Sequence, residues 1–294
     1  MPSTRQLVPV AALTLVLAFL PASRAQKKPQ DAGHGPNFYS LQKESELGAA
    51  LCKEVERSSR LLDDAFASEY LNRLAAQLAD NSDSPFAITV RIIDSDVIDA
   101  FTLPGGYQYI DKGLILHTES KAELAAVLSR GIAFTAMRAE TKETTKGEIM
   151  QLAAIPAEIF LPYGTVGSAA YEGMNLATPL TFLKFRRDAQ LAADYYGIQY
   201  LYKSGYDSEA MPRFFERVWP LTAGSKPTPK AFNLDPPLAD RLKAMRTEIQ
   251  KLPARQQPAA ATASSSSEYA ALKERLEKSG PSPRKGQPVL QHPE

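Results

Sequence analysis

Histidine, cysteine and tryptophan are scarce in this chain of 294 residues: three His, one Cys and one Trp. Each scarcity excludes something. A catalytic zinc site takes about three protein ligands, usually His with Cys, Asp or Glu. His34, His117 and His292 are too far apart in sequence for any two to share a helix face. A single Cys52 cannot form an internal disulfide and reads as a small buried residue on an amphipathic helix. A serine hydrolase lacks its G-x-S-x-G elbow, with His117 the one plausible base, and a Cys52–His117 pair has no local motif around it. Neither sign of charge dominates, with 34 Lys+Arg against 33 Asp+Glu and a net charge of +1. That balance argues against a nucleic-acid or anionic-membrane partner. Long apolar runs are absent beyond residues 7–20, so no later segment is expected to cross a bilayer.

What is present begins with an export signal. Arg5 precedes the apolar run Leu7 to Leu20, and Ser23-Arg24-Ala25 offers the small residues of a cleavage site. Residues 1–25 therefore read as a signal peptide cut near Ala25, with an uncleaved anchor as the alternative. Its loss would take away Arg5 and Arg24 and leave a net charge of about −1. The mature chain is expected to be periplasmic or secreted, without a transmembrane domain. Residues 26–36 read as a flexible leader, 37–252 as the folded domain, 253–267 as a Pro/Ala/Ser linker, and 268–294 as a short helix with a disordered tail.

Within the domain, spacing predicts helices over about 41–61 and from the Asp63-Asp64 cap to about Ala79, then a strand over Phe86 to Ile93. Asp99 to Asp111 reads as strand, tight turn, strand, because Pro104-Gly105-Gly106 supplies the preset and positive φ values of a turn. Leu124, Val127, Leu128, Ile132, Ala133 and Met137 recur at three- and four-residue spacing, which predicts a buried helix over Glu123 to Glu140. Residues 144–159 read as helical, and 161–179 as a loop over a cleft. Phe182 to Ser204 and Ser208 to Leu221 read as further helices, Phe214, Phe215 and Trp219 being core residues. Another helix ends near Leu252.

Three of these stretches together resemble the zinc metallopeptidase family of the HtpX, BepA and CAAX prenyl protease type. The buried helix matches the register of the family's E-L-A-A-V-L-A-H-E-I-A-H, the hairpin its N-A-F-x-x-P-G-G, and Arg187 to Gly197 its S-R-x-x-E-x-E-A-D-x-x-G. The resemblance implies an H-E-x-x-H zinc motif and a third ligand Glu. Here Arg130, Gly131, Phe134 and Gln190 stand in those four places. Asp194 and Arg241 are retained family positions, and Asp235 replaces the His of a loop that approaches the family's active site.

The resemblance therefore implies an α+β fold, mostly helical and metallopeptidase-like (zincin type), with a small sheet whose hairpin edges the cleft. Phe101, Leu103, Pro104, Gly105, Gly106, Tyr107 and Gln108 are the expected substrate-binding residues. From the four substitutions we expect no enzyme, no metal and no cofactor, the family's zinc ligands being lost. The expected role is a pseudopeptidase that binds extended peptide or a partner protein in envelope protein quality control, in an oligomeric state the sequence leaves open. An active metallopeptidase with substitute ligands such as Asp194, Asp235 or Glu140 is the alternative. Arg130 is expected either to pair with Asp194 or Asp235 or to reach solvent along the cleft wall.

Overall fold

A computed structural model describes residues 37–139, 141–142, 187–222, 237–254 and 263–280. The expected signal peptide, leader, helix over 144–159, 161–179 loop, start of the helix from Phe182, Asp235, Glu140 and extreme C-terminal tail lie outside the described residues, as does most of the expected linker.

Chain order explains most of the architecture. Ser40 caps α1 (Leu41–Ser58) by accepting a hydrogen bond from the Lys43 amide. Asp64 does the same for α2 (Ala65–Ala79) through the Ala67 amide. Helix α2 buries Ala67, Tyr70, Leu71, Leu74, Ala75 and Leu78, a stripe at helical spacing. Strands β1 (Thr89–Ile93), β2 (Ala100–Leu103) and β3 (Tyr107–Asp111) form one sheet in the order β1-β3-β2. Strand β3 runs parallel to β1 and antiparallel to β2, with Gln108 opposite both Val90 and Thr102. The side chain of Asn72 on α2 takes the place of a further strand beside β1: it donates to the Val90 carbonyl and accepts from the Val90 amide.

The hairpin thus contributes one marginal and one central strand. An extended ligand adding to the sheet cannot pair with β3, the strand that carries Gln108. Period-two alternation divides the hairpin between two layers. Leu103 and Tyr109, with Phe101 and Tyr107 packed against them, join Leu51 and Cys52 of α1 in a small cluster. Ile110, Val90 and Ile92 belong to the main core on the opposite side, with α2 and α4.

The turn Pro104–Gly106 is wedged against α1. Gly105 and Gly106 have φ of 80° and 92°, as a turn of this shape requires. Across from it, Gly48 lets α1 approach so closely that a Cβ there would lie 1.9 Å from the Pro104 carbonyl oxygen. Backbone faces backbone, so neither side can swing away. Gly48→Ala is expected to cost about 1–3 kcal/mol by overpacking. A thermal melt within a degree of wild type would show that α1 shifts freely on the turn.

Helix α3 (Lys112–His117) follows β3 directly, and α4 (Lys121–Met137) crosses the middle of the molecule. Ser120 caps α4 through the Glu123 amide, and the Glu123 carboxylate reaches back to the Glu119 amide at 2.7 Å. The helix ends at Arg138, left-handed at φ 52°, whose guanidinium holds Glu44 and the Tyr39 carbonyl of the α1 region. Helices α5 (Arg187–Lys203), α6 (Ala210–Thr222) and α7 (Leu238–Ile249) pack behind α4. Helix α8 (Ala263–Lys278) docks on α3: the Tyr269 hydroxyl donates to the Thr118 carbonyl, and the Lys273 ammonium caps the last carbonyls of α3. This is the mostly helical α+β domain with a small sheet that the sequence implied.

Candidate functional site

Four side chains from three helices meet at the centre of α4. Arg130 projects from α4, Gln190 and Asp194 from α5, and Arg241 from α7. Gln190, Asp194 and Gly197 recur at four and three residues, so they share one face of α5. Gly197 sets the distance: a Cβ there would lie 3.0 Å from the Arg130 Cα. The close crossing brings Asp194, one turn back, within reach of Arg130.

The Arg130 Nε donates to Asp194 Oδ1 at 2.7 Å. Arg241 forms a fork on the same carboxylate, Nε to Oδ2 at 2.7 Å and Nη2 to Oδ1 at 2.8 Å. A second nitrogen of Arg130, Nη2, donates to Gln190 Oε1. All four are buried: Arg130 is 6% exposed, Asp194 2%, Gln190 and Arg241 0%. Phe215 of α6 lies against both guanidiniums, its ring 5.6 Å from that of Arg130 and 4.6 Å from that of Arg241, and Phe134 packs on Arg130 at 5.0 Å. Of the two partners weighed for Arg130, Asp194 is paired with it, and Asp235 lies outside the described residues. Burial alone would raise the Asp194 carboxyl, but the Arg241 and Arg130 guanidiniums hold it below the usual carboxylate range. Burial pushes Arg130 down to about 10 against the pull of Asp194, so it stays charged at neutral pH.

A pocket of about 40 Å³ opens beside this cluster, between the sheet, α4 and α6. Phe101, Thr102 and Gln108 contribute from the sheet, Val127, Arg130, Gly131 and Phe134 from α4, and Phe214 and Phe215 from α6. Of the seven expected substrate-binding residues, the structure brings Phe101 and Gln108 to this pocket. Leu103 and Tyr107 belong to the α1 side, and Pro104, Gly105 and Gly106 form the turn packed against α1 and Ala87. Phe214 and Phe215 are wall residues as well as core residues. No signal in the sequence separates the two roles, since an apolar helix stripe looks the same in both.

Toward the zinc that the resemblance implies, the described residues at the centre of α4 offer a single carboxylate. The one carboxylate of the cluster, Asp194, already receives three hydrogen bonds from guanidiniums, and a divalent cation would face two fixed positive charges. Among the described residues no group of three or more His, Cys, Asp and Glu stands together. His117 bonds through Nδ1 to the Gly113 carbonyl, and Cys52 is buried in the α1-side cluster, where burial pushes its thiol up.

The sequence profile of Peptidase family M48 matches residues 66–249. The match spans α2 to α7, more than half of the chain, and the protein belongs to that family. Among similar proteins, the putative beta-barrel assembly-enhancing protease of Vibrio cholerae is 28% identical over 221 residues, covering 73% of this chain and 46% of that protein. The beta-barrel assembly-enhancing protease of Escherichia coli K12 is 25% identical over 241 residues, 79% of this chain and 49% of the relative. The mitochondrial metalloendopeptidase OMA1 of Arabidopsis thaliana is 27% identical over 136 residues, 45% and 26% respectively. The chain thus matches half or less of each relative's length.

Membership corrects two expectations. The four substitutions led us to expect a chain that is no enzyme and takes no cofactor. The family is one of peptidases, its zinc chemistry is part of the resemblance, and the relatives carry the names of proteases and a metalloendopeptidase. Substitution at Arg130, Gly131, Phe134 and Gln190 tells which side chains occupy one cluster; it does not demonstrate inactivity. Of the alternative ligands weighed for a metal, Asp194 is engaged by Arg130 and Arg241, and Asp235 and Glu140 lie outside the described residues.

Proposed function

We propose that the protein acts on polypeptide in the cell envelope, engaging an extended apolar segment of a client protein at the pocket walled by Phe101, Gln108, Val127, Phe214 and Phe215, whose cavity seats one small group of that segment. The reading is carried by one observation. The pocket lies against the middle of α4, beside Arg130 and Gly131 and within the stretch that matches the peptidase family. Proteolysis is the activity supported by the family and by the relatives' names, and assistance to β-barrel assembly is the setting those names suggest. Residues 1–25 would direct export, and no described helix is long and apolar enough to cross a membrane. The near-neutral charge gives no support to a nucleic-acid partner.

The test uses purified protein and an unfolded β-barrel protein, with binding followed by photo-crosslinking and fragments by mass spectrometry, with and without a chelator. Cross-links on β2, α4 and α6 together with defined fragments are the expected result. A substrate neither bound nor cut would sink the reading. Val127→Arg offers a control at the pocket wall. Val127 is half-buried, so its replacement can reach solvent and leave the fold intact, while occupying the mouth of the pocket. A loss of client binding of about tenfold, equivalent to about 1.4 kcal/mol, is expected with little change in Tm.

A further inference from the structure

The polar side-chain atoms left without partners in the pocket wall and in the charge cluster beside it are of one kind. Among the described residues, Gln108 Nε2, Gln190 Nε2 and Arg241 Nη1 are buried with no hydrogen-bond partner. All three are donors. Buried polar groups are nearly always paired, so the orphaned donor of Gln108, which lines the pocket beside Arg130, indicates that an acceptor belongs there. The Gln190 orientation is fixed by the bond its Oε1 accepts from Arg130, which leaves its nitrogen as the unmatched end.

Gln108 is the member that faces the pocket. It is 4% exposed and lines the cavity together with Arg130. Its amide lies flat on α4 because residue 131 is glycine: a Cβ there would be 2.8 Å from Gln108 Cδ and 2.9 Å from both Nε2 and Oε1. Gly131 therefore makes the seat for the Gln108 amide. A cavity of about 40 Å³ has room for roughly three water-sized groups, at 10–15 Å³ each. A carboxylate group has three heavy atoms, accepts hydrogen bonds only, and carries the charge that a neighbouring guanidinium favours. The walls beyond Gln108 and Arg130 are aromatic and aliphatic, which suits an apolar body behind the charged head.

We infer that the pocket binds the carboxylate of an apolar acid, with Gln108 Nε2 as donor and Arg130 as the source of the favourable field. The C-terminal carboxylate of a polypeptide with an apolar end and a free small organic acid share this chemistry. The first is the source consistent with the proposed function, on whose reading the inference rests: the protein would engage its client at a chain end.

Titration calorimetry on the full chain at pH 7 separates the cases. The probes are an N-acetylated apolar hexapeptide as free acid, the same peptide as C-terminal amide, and 3-phenylpropionate. The free acid is expected to bind at least tenfold tighter than the amide. Gln108→Glu, which brings an internal carboxylate to the seat, should abolish that preference, and Gln108→Met, which removes the donor and keeps the length, should reduce it to within about threefold. Circular dichroism and a thermal melt check that each variant is folded, and two variants of different polarity guard against one failing. If 3-phenylpropionate displaces the free-acid peptide, the pocket takes small acids as well; if it does not, the chain end is required. Either outcome retains the carboxylate chemistry. Equal binding of acid and amide overturns this inference and leaves the proposed function standing. Binding of no probe overturns both.

Discussion

Asp194→Asn is expected to lower the unfolding free energy by about 3–5 kcal/mol, the usual cost of removing one partner from a buried charge cluster. At about 2–4 °C per kcal/mol for a domain of this size, Tm should fall by on the order of 10 °C. Shape is conserved in the substitution, so the effect is electrostatic. Two buried guanidiniums, Arg130 and Arg241, would be left together without the carboxylate that now receives three of their hydrogen bonds. Arg130→Met should cost less. It leaves Asp194 with the two-point contact from Arg241, and it removes one of two like charges. In the double mutant the two effects should fail to add, with a coupling above about 0.5 kcal/mol. Additive losses would mean that the cluster contributes packing and no electrostatic linkage.

The same carboxylate fixes the sign of a pH effect. Its folded-state pKa is depressed by Arg241 and Arg130 against the opposing effect of burial. A depressed acid contributes stability that is fully present above its unfolded pKa, about 3.9, and is lost as pH falls through the lower folded value. The Asp194 contribution should therefore be flat from pH 5 to 8 and decline below about pH 4. Asp194→Asn should flatten that part of the acid limb in a chemical-denaturation series. A wild-type curve that matches the variant below pH 4 would show that Asp194 is not held low.

Much of this geometry was legible in local spacing. The apolar repeat from Leu124 to Met137 gave α4, Pro104-Gly105-Gly106 gave the hairpin, and the Gln190, Asp194 and Gly197 spacing placed three residues on one face of α5. The pairing of Arg130 with Asp194 could be argued because an internal charge on a buried helix needs a counterion. What was not legible is long-range. Nothing local says that β3 returns parallel to β1, since that register depends on a crossover through β2. The second cation on Asp194 comes from Arg241, 47 residues on, and the sequence offers no periodicity at that distance. Asn72 reads as an ordinary polar face of α2, yet it closes the margin of β1. The role of Gly131 was hidden for a different reason. Against a motif it is a substitution, and only the fold shows that the Gln108 amide occupies the space its missing side chain leaves.

Gln108→Pro is expected to destabilise the domain by about 3 kcal/mol or more, by removing a ladder donor and leaving a buried acceptor unmatched. Had β3 been an outer strand, proline could have been tolerated with its nitrogen toward solvent. In this sheet Gln108 has Val90 on one side and Thr102 on the other, so its amide points at a strand whichever way it faces. Proline also fixes φ near −65°, well short of the extended values of a strand, and position 108 lies inside both ladders. Strand β3 joins the α1-side cluster through Tyr109 to the main core through Ile110, so a break there should uncouple both layers. The measurement is a urea titration beside Gln108→Met and Gln108→Glu. Both side-chain changes keep the backbone amide, and Gln108→Met, close to Gln in volume, should remain within about 1.5 kcal/mol of wild type. A proline variant as stable as the other two would mean that β3 lies at the margin of the sheet, and the strand order β1-β3-β2 would fall with it.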